Sequence, residues 1–483
     1  MAENIREIVL DTMLAMAQQR EFSNYLIKSV LDKYDYLPVR DKAFIKRLTE
    51  GTLERRLELD YYLNKVSSVP VGKMKPLIRE LLRISLYQIL YMDTVPDSAV
   101  CNEACKIAEK RGFRGLRGFV NGVLRNLARQ KDNLPFPDRE KEPMRYLSVK
   151  YSMPDWIVDI WVNEYGMEIA ETILEGLMQV HPVSLRFRTD LSDDRRKALC
   201  RETEERGAVL HQSRYLPYVY GLEGADGVNW IPGFAQGQVT VQDVSSALAV
   251  EAAGIREGDF VVDVCAAPGG KSLLAAEKAA RVLSRDRTED KAELIRQAAK
   301  RMGAENIEVQ VYDAKITDDS LLGLADVVLL DVPCSGLGVM GKKRDIKYRA
   351  SREGLREMTM LQKEIVDASW QYVKPGGTLI YSTCTINARE NEKMAKYISE
   401  ELPFEPEPLD DWLPKEIIDF REQIEELREK CGKSSWVELD ADQRRACVQL
   451  LPGYTEGDGF FIARFRREKN CAEERKDDVL PAD

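Results

Sequence analysis

From residue 239 onward the chain alternates short apolar stretches with helical ones, and that alternation leaves little choice but a parallel α/β sheet. The stretches are DFVVDV (259–264), RVLSRD (281–286), VQVYDA (309–314), VVLLD (327–331) and TLIYSTC (378–384). They carry Asp263, Asp286, Asp313, Asp331 and Cys384 at or near their ends, with Cys334 just beyond the fourth in VVLLDVPCSG. Ligands of open α/β sheets sit outside the carboxyl ends of the strands, so four aspartates and two cysteines are expected around one crevice. One strand-end aspartate is ordinarily a helix N-cap. Five successive strands ending in Asp or Cys ask for more than capping.

The turn after the first of these strands reads DVCAAPGGKS (263–272). Gly269 and Gly270 let backbone approach a ligand and point N–H groups at it. The pattern is neither G-x-G-x-x-G nor the phosphate loop G-x-x-x-x-G-K-[ST], which argues against a dinucleotide oxidoreductase and a nucleoside triphosphatase. Asp286 stands 23 residues beyond Asp263, where an acid can accept both hydroxyls of a ribose.

Residues 1–131 read as six or seven amphipathic helices forming an all-α bundle. DKAFIKRLTEGTLERRLELDYYLNKV reads as one helix, with Asp41 and Asp97 at N-cap positions. This front holds 23 Lys+Arg against 16 Asp+Glu, whereas the whole chain has a net charge of −10. Its end, KRGFRGLRGFVNGVLRNLARQK, mixes Arg with Phe and Gly as phosphate-backbone binders do. A proline-rich linker (132–143) precedes a small α+β RNA-binding module (144–235) and the catalytic domain (236–467). The charged segment 410–447 reads as an insertion or surface helix, and 468–483 as a disordered tail.

Nine scattered cysteines without C-x-x-C spacing argue against disulfides, and two histidines argue against a metal site or a histidine base. With no apolar run of membrane length, a cytoplasmic, membrane-independent protein is expected.

DVCAAPGGKS, LLDVPCSGLGV, DIKYR and YSTCTINARENE resemble the motifs of the RNA cytosine-C5 methyltransferases that use S-adenosylmethionine. VQDVSSALAV (241–250) and LLPGYTEGDGFFIARF (450–465) extend the likeness over about 145–466, and the helical front resembles the NusB-type domain. The combination is similar to the branch acting on small-subunit (16S) rRNA. The resemblance implies that Cys265, Ala266, Ala267, Pro268, Gly269, Gly270 and Lys271 wrap the cofactor. It further implies Asp286 on the ribose, Asp313 at the adenine and Asp331 beside the methionine moiety and target base. Cys384 matches the family nucleophile and Cys334 the thiol that helps product leave. Arg188 departs from the family, which usually carries Asn there.

The chemistry suits those residues. C5 of cytosine is a poor nucleophile until a thiolate adds at C6, and a thiolate both attacks well and leaves tolerably. Asp331 is placed to stabilise charge at N3, and Lys271 to polarise the base carbonyl. Cys265 is expected to pack rather than react. The expected partner is RNA, not DNA, reached as a flipped or looped-out base by a monomer. A tRNA-directed enzyme and a non-catalytic RNA-binding assembly factor are the alternatives.

Overall fold

The computed structural model describes residues 4–18, 23–179, 182–224, 227–432 and 437–469. The tail from 470 on, Cys471 and His181 lie outside the described residues. The chain divides into two compact units, one running to Val162 and taking in Lys342–Arg349, the other holding the remainder from Asn163.

The first unit is helical. Helices Ile5–Gln18, Ser23–Lys33, Val39–Glu54, Arg56–Val66, Pro76–Tyr91, Asp97–Lys110 and Arg117–Gln130 surround a core that includes Leu10, Leu48, Leu63, Leu82, Leu86, Val120, Leu124 and Leu127. Pro76–Tyr91 is buried from Leu81 through Ile89, with the polar Arg83, Ser85 and Gln88 buried among its apolar residues. Its buried Arg83 makes paired hydrogen bonds of 2.7 and 2.6 Å to Asp60 and a third of 2.6 Å to Glu80. The expected single helix breaks at Arg55, and the second piece starts with its Leu57 amide donating to the Ser152 hydroxyl (2.9 Å). Asp41 and Asp97 are not N-caps: those positions are Pro38 and Pro96, and the two acids lie in the first turns, where the helix dipole favours them.

DIKYR (345–349) belongs to this unit. The Tyr348 hydroxyl donates to the Leu53 carbonyl and the Lys347 ammonium to the Glu54 carbonyl, both at 2.8 Å, satisfying acceptors that a helix end leaves open. Arg344 pairs with Glu54 at 2.8 Å, and Asp345 accepts from the Ser23 hydroxyl at 2.7 Å.

The second unit holds two sheets. Strands β1 (Val183–Phe187), β2 (Val209–Gln212), β3 (Val219–Glu223) and β4 (Val239–Val241) form an antiparallel sheet in the order β2-β3-β1-β4, giving the α+β character read from the sequence. The larger sheet contains β5 (Phe260–Asp263), β6 (Arg281–Asp286), β7 (Ile307–Val311), β8 (Ala325–Asp331), β9 (Val373–Thr383), β10 (Phe404–Pro406), β11 (Cys447–Leu450) and β12 (Phe460–Arg467). Its order is β10-β12-β9-β8-β5-β6-β7, with β11 also on β12. The strands from β9 through β7 pair in parallel, and β12 joins antiparallel. Val262, Val328, Leu379 and Tyr381 lie fully buried in its core. The expected α-bundle followed by α+β and α/β parts is therefore the fold observed.

The charged segment 410–447 is more than surface. Its helix Lys415–Lys430 buries Ile417, Ile418, Phe420 and Ile424, and Trp412 lies under the Arg464 guanidinium, 4.0 Å from the ring centre. Arg464 is 1 % exposed and rests on Glu407 at 2.8 Å. Removing one member of a buried ion pair strands the other, so Glu407→Ala is expected to cost about 3 kcal/mol, read as a lowered urea midpoint against wild type.

Candidate active site

In the large sheet the chain proceeds from β5 outward to β6 and β7, then returns to place β8 on the other side of β5. That reversal opens a crevice at the carboxyl ends of β5 and β8. Asp263, Asp286 and Asp331 are the last residues of β5, β6 and β8; Cys384 follows β9 directly, and Cys334 lies three residues past β8. Asp313 lies two residues past β7 and accepts the Lys315 amide of its own loop at 3.1 Å.

The turn after β5 is tied to β6. The Ala266 amide donates to the Arg285 carbonyl (2.8 Å) and the Ala267 amide to the Asp286 carboxylate (3.1 Å). Asp286 also accepts the Arg287 amide at 2.8 Å and pairs with Lys291 at 3.1 Å. Gly269 has φ +103°, a left-handed conformation that an L side chain resists, and from it the helix Gly270–Ala276 begins. Pro268 is exposed, whereas Cys265 packs against the β-sheet core and burial pushes its thiol up.

Lys271 leaves this turn to meet Asp331 at 2.7 Å, and its ammonium lies 5.1 Å from the centre of the Phe460 ring. The other oxygen of Asp331 accepts the Ser382 hydroxyl at 2.9 Å. Ser382 faces Asp331 because β8 and β9 pair in that register. The same pairing delivers the cysteines to each other: Cys334 Sγ and Cys384 Sγ are 3.3 Å apart. Contact with the Cys384 thiol, then burial, pushes the Cys334 thiol well up. Gly338 closes the arrangement. Its amide donates to the Cys384 carbonyl at 3.1 Å, and a Cβ there would stand 2.0 Å from the Gly459 carbonyl oxygen.

Sequence reading missed Ser382 and Phe460. A signal for Ser382 was present: in TLIYSTC it is two residues before the cysteine, on the face opposite Tyr381. Phe460 arrives from the last strand pair, and no local pattern announces it. Arg188, the departure from the family, pairs with Asp190 and donates to the Met302 carbonyl at 2.9 Å. A cavity of about 720 Å³ in the first unit, lined by Asp60, Tyr61, Lys65, Arg145 and neighbours, contains none of these site residues. Among the described residues no helix is long and apolar enough to cross a membrane.

The chain thus holds a parallel-rich sheet with acids and paired thiols at its strand ends and, in its other unit, a helical bundle, and the comparisons give its class as RNA methyltransferase. Residues 251–466 match the family model described as 16S rRNA methyltransferase RsmB/F, and residues 3–129 match the NusB family. The chain is 33% identical over 478 residues to a Bacillus subtilis protein named "Probable ribosomal RNA small subunit methyltransferase B", covering 96% of this chain and 99% of that one. It is 30% identical to the Cronobacter sakazakii ribosomal RNA small subunit methyltransferase B, covering 88% and 90% of the two chains. The chain belongs to the ribosomal RNA small subunit methyltransferase B family. In fold it is similar to the solved PH0851 (TM-score 0.74, 22% identity, 97% of this chain and 100% of that chain). The crystal structure of NSun6 from Pyrococcus horikoshii with SFG is also similar (TM-score 0.51, 19% identity, 66% and 99%).

Asp263 yields a pH test. Burial lifts its carboxyl from 3.8 to about 7, against the opposing Ser272 hydrogen bond (2.6 Å) and the Lys271 charge. With the folded value raised, this group supports folding fully below pH 3.8 and withdraws that support as pH rises toward about 7. Urea midpoints of the ligand-free protein across that range are expected to carry this downward component, and Asp263→Asn is expected to remove it.

Proposed function

We propose that this protein transfers a methyl group from S-adenosylmethionine to C5 of a cytosine in 16S rRNA, through a transient bond between Cys384 and C6 of the ring. The observation that carries the reading is the thiol pair at 3.3 Å beside the Lys271–Asp331 contact, at the carboxyl edge of a parallel sheet. The names of the family and of its members point to small-subunit rRNA as the target class. A neighbour in fold was solved with SFG, an adenosylmethionine analogue.

The sheet edge fits such a cofactor. The Cys265–Lys271 turn reverses through left-handed Gly269, Asp286 ends the second strand, and one oxygen of buried Asp263 has no hydrogen-bond partner among the described residues. Asp286 would hold the ribose and Asp313 the adenine, with Asp331 and the turn bordering the methionine end. When bound, S-adenosylmethionine supplies an electrophilic methyl on a sulfonium.

The chain's own residues do the rest. The Cys384 thiolate adds to C6 and turns C5 into an enamine-like nucleophile. The Lys271 ammonium donates to the base carbonyl and stabilises the negative charge that addition spreads over N3 and that carbonyl, and Asp331, itself oriented by Ser382, holds the ammonium in place. Once C5 is methylated, its proton passes to a base drawn from solvent, the C5–H electrons re-form the C5–C6 double bond, and the C6–S bond breaks to release Cys384 as thiolate. The Cys334 thiol, held protonated, donates a hydrogen bond to that departing sulfur. Residues 1–131 and 144–235 bind RNA, while 236–467 carry the chemistry. The protein works as a cytoplasmic monomer.

Mapping 5-methylcytosine in rRNA and tRNA from cells with and without the gene is expected to show one 16S site lost; loss in tRNA instead refutes the substrate. In vitro, Cys384→Ala is expected to lack both transfer and adduct. Cys334→Ala should form an adenosylmethionine-dependent protein–RNA adduct stable on denaturing gels, and then stall. The reverse pattern would move the nucleophile to Cys334.

The exposed guanidiniums of Arg114 and Arg117, 86 % and 61 % accessible, lie on the basic end of the bundle. Neutralising both to Gln is expected to weaken RNA binding and flatten the plot of log affinity against log salt by about 2. Filter binding at several salt concentrations measures it.

A further inference from the structure

We infer that Glu390 is a positioning residue for the thiol pair, setting the separation at which Cys334 serves Cys384; this rests on the two-thiol reading above. Glu390 is fully buried. Its Oε2 accepts the Ser335 amide at 2.9 Å and the Gln362 side-chain amide at 2.9 Å. Its Oε1 accepts the Ser335 hydroxyl at 2.5 Å and the Asn387 side-chain amide at 2.8 Å. Its backbone carbonyl accepts the Tyr381 hydroxyl at 2.6 Å.

The donors are distributed in a way that capping alone does not explain. Ser335 follows Cys334, and Gln362 donates with the same nitrogen to the carbonyl of Pro333, which precedes it (2.9 Å). Both chain neighbours of Cys334 are therefore fixed through one carboxylate. Asn387 lies three residues beyond Cys384, so the same group holds that turn as well. A second link joins the turns directly: Ser335 Oγ and Thr385 Oγ1 are 2.7 Å apart, and Thr385 Oγ1 also accepts the Leu337 amide at 3.2 Å. A carboxylate offers acceptors only, and here four neutral donors fill it without a salt-bridge partner among the described residues. Burying that group is costly when only fold is at stake. It is understandable where two sulfurs must be held in register to within a fraction of an ångström.

Glu390→Gln keeps the shape but turns an N–H₂ toward groups that are themselves donors. The full-length variant is expected to bind S-adenosylmethionine and RNA as wild type does. Its kcat should fall about 10- to 100-fold, and KM should fall with it because the protein–RNA adduct accumulates, as a misplaced release thiol requires. A second readout needs no RNA: diamide takes two hydrogens from Cys334 and Cys384 and leaves a disulfide, at a rate set by their separation. Capture in Glu390→Gln is expected to be about tenfold slower than in wild type. Ser335→Ala, which removes one donor and leaves the carboxylate, should shift both readouts the same way by less. It decides the matter if Glu390→Gln fails to fold. Unchanged capture, or slowed capture with unchanged kcat, in a folded variant overturns the inference. If wild type lacks methyl transfer altogether, the catalytic reading fails, while the capture rates still report whether Glu390 sets the spacing.

Discussion

The parallel ladder between β8 and β9 is what the site depends on. It puts Asp331 opposite Ser382 and sets side by side the two turns that carry the cysteines. One strand leaves the sheet into the turn that carries Cys334, the other into the turn that carries Cys384. A slip of one residue would reverse every side chain of a strand across the sheet and separate Asp331 from both Ser382 and Lys271. The register is secured by burial, since Val328, Leu330, Leu379 and Tyr381 all lie in the core. The hydrophobic interior of the second unit and the geometry of its thiols are thus one constraint.

The polar groups at this edge are arranged in tiers. Asp331 is held by a hydroxyl from the neighbouring strand and an ammonium from the turn after β5, and Asp286 by two amides and a lysine. Asp263 has one oxygen on Ser272 and the other without a partner among the described residues. Groups so fixed reorganise little when a ligand arrives, which is what electrostatic preorganisation asks of a site. A single carboxylate behind the thiols extends the same logic outward.

Much of this was legible in the sequence because its signals are local. Alternating apolar strands and helices gave the parallel sheet, and strand-end acids and cysteines gave the crevice. Those signals needed only periodicity and the rule that ligands meet strands at their carboxyl ends. What the sequence withheld was tertiary. Asp41 and Asp97 carry the chemistry of N-caps, but each follows a proline that takes the position. The helix that starts after the break at Arg55 has its Leu57 amide on Ser152, about a hundred residues away. Segment 410–447 looked solvated by composition, yet its apolar residues recur on one helical face and are buried. Glu390 sat inside the quoted motif YSTCTINARENE, but nothing in a run of polar residues says which of them is interior.

The segment Lys342–Arg349 carries a consequence for synthesis. Domains generally fold as units in the order they leave the ribosome. Here the first unit cannot be complete when its own stretch of chain has emerged, because Arg344, Asp345, Lys347 and Tyr348 come from far downstream. Until residue 349 has been made, the carbonyls of Leu53 and Glu54 and the carboxylates of Glu50 and Glu54 wait for these partners. The N-terminal bundle of this chain is finished late, and its final contacts are made only after most of the parallel sheet has been translated.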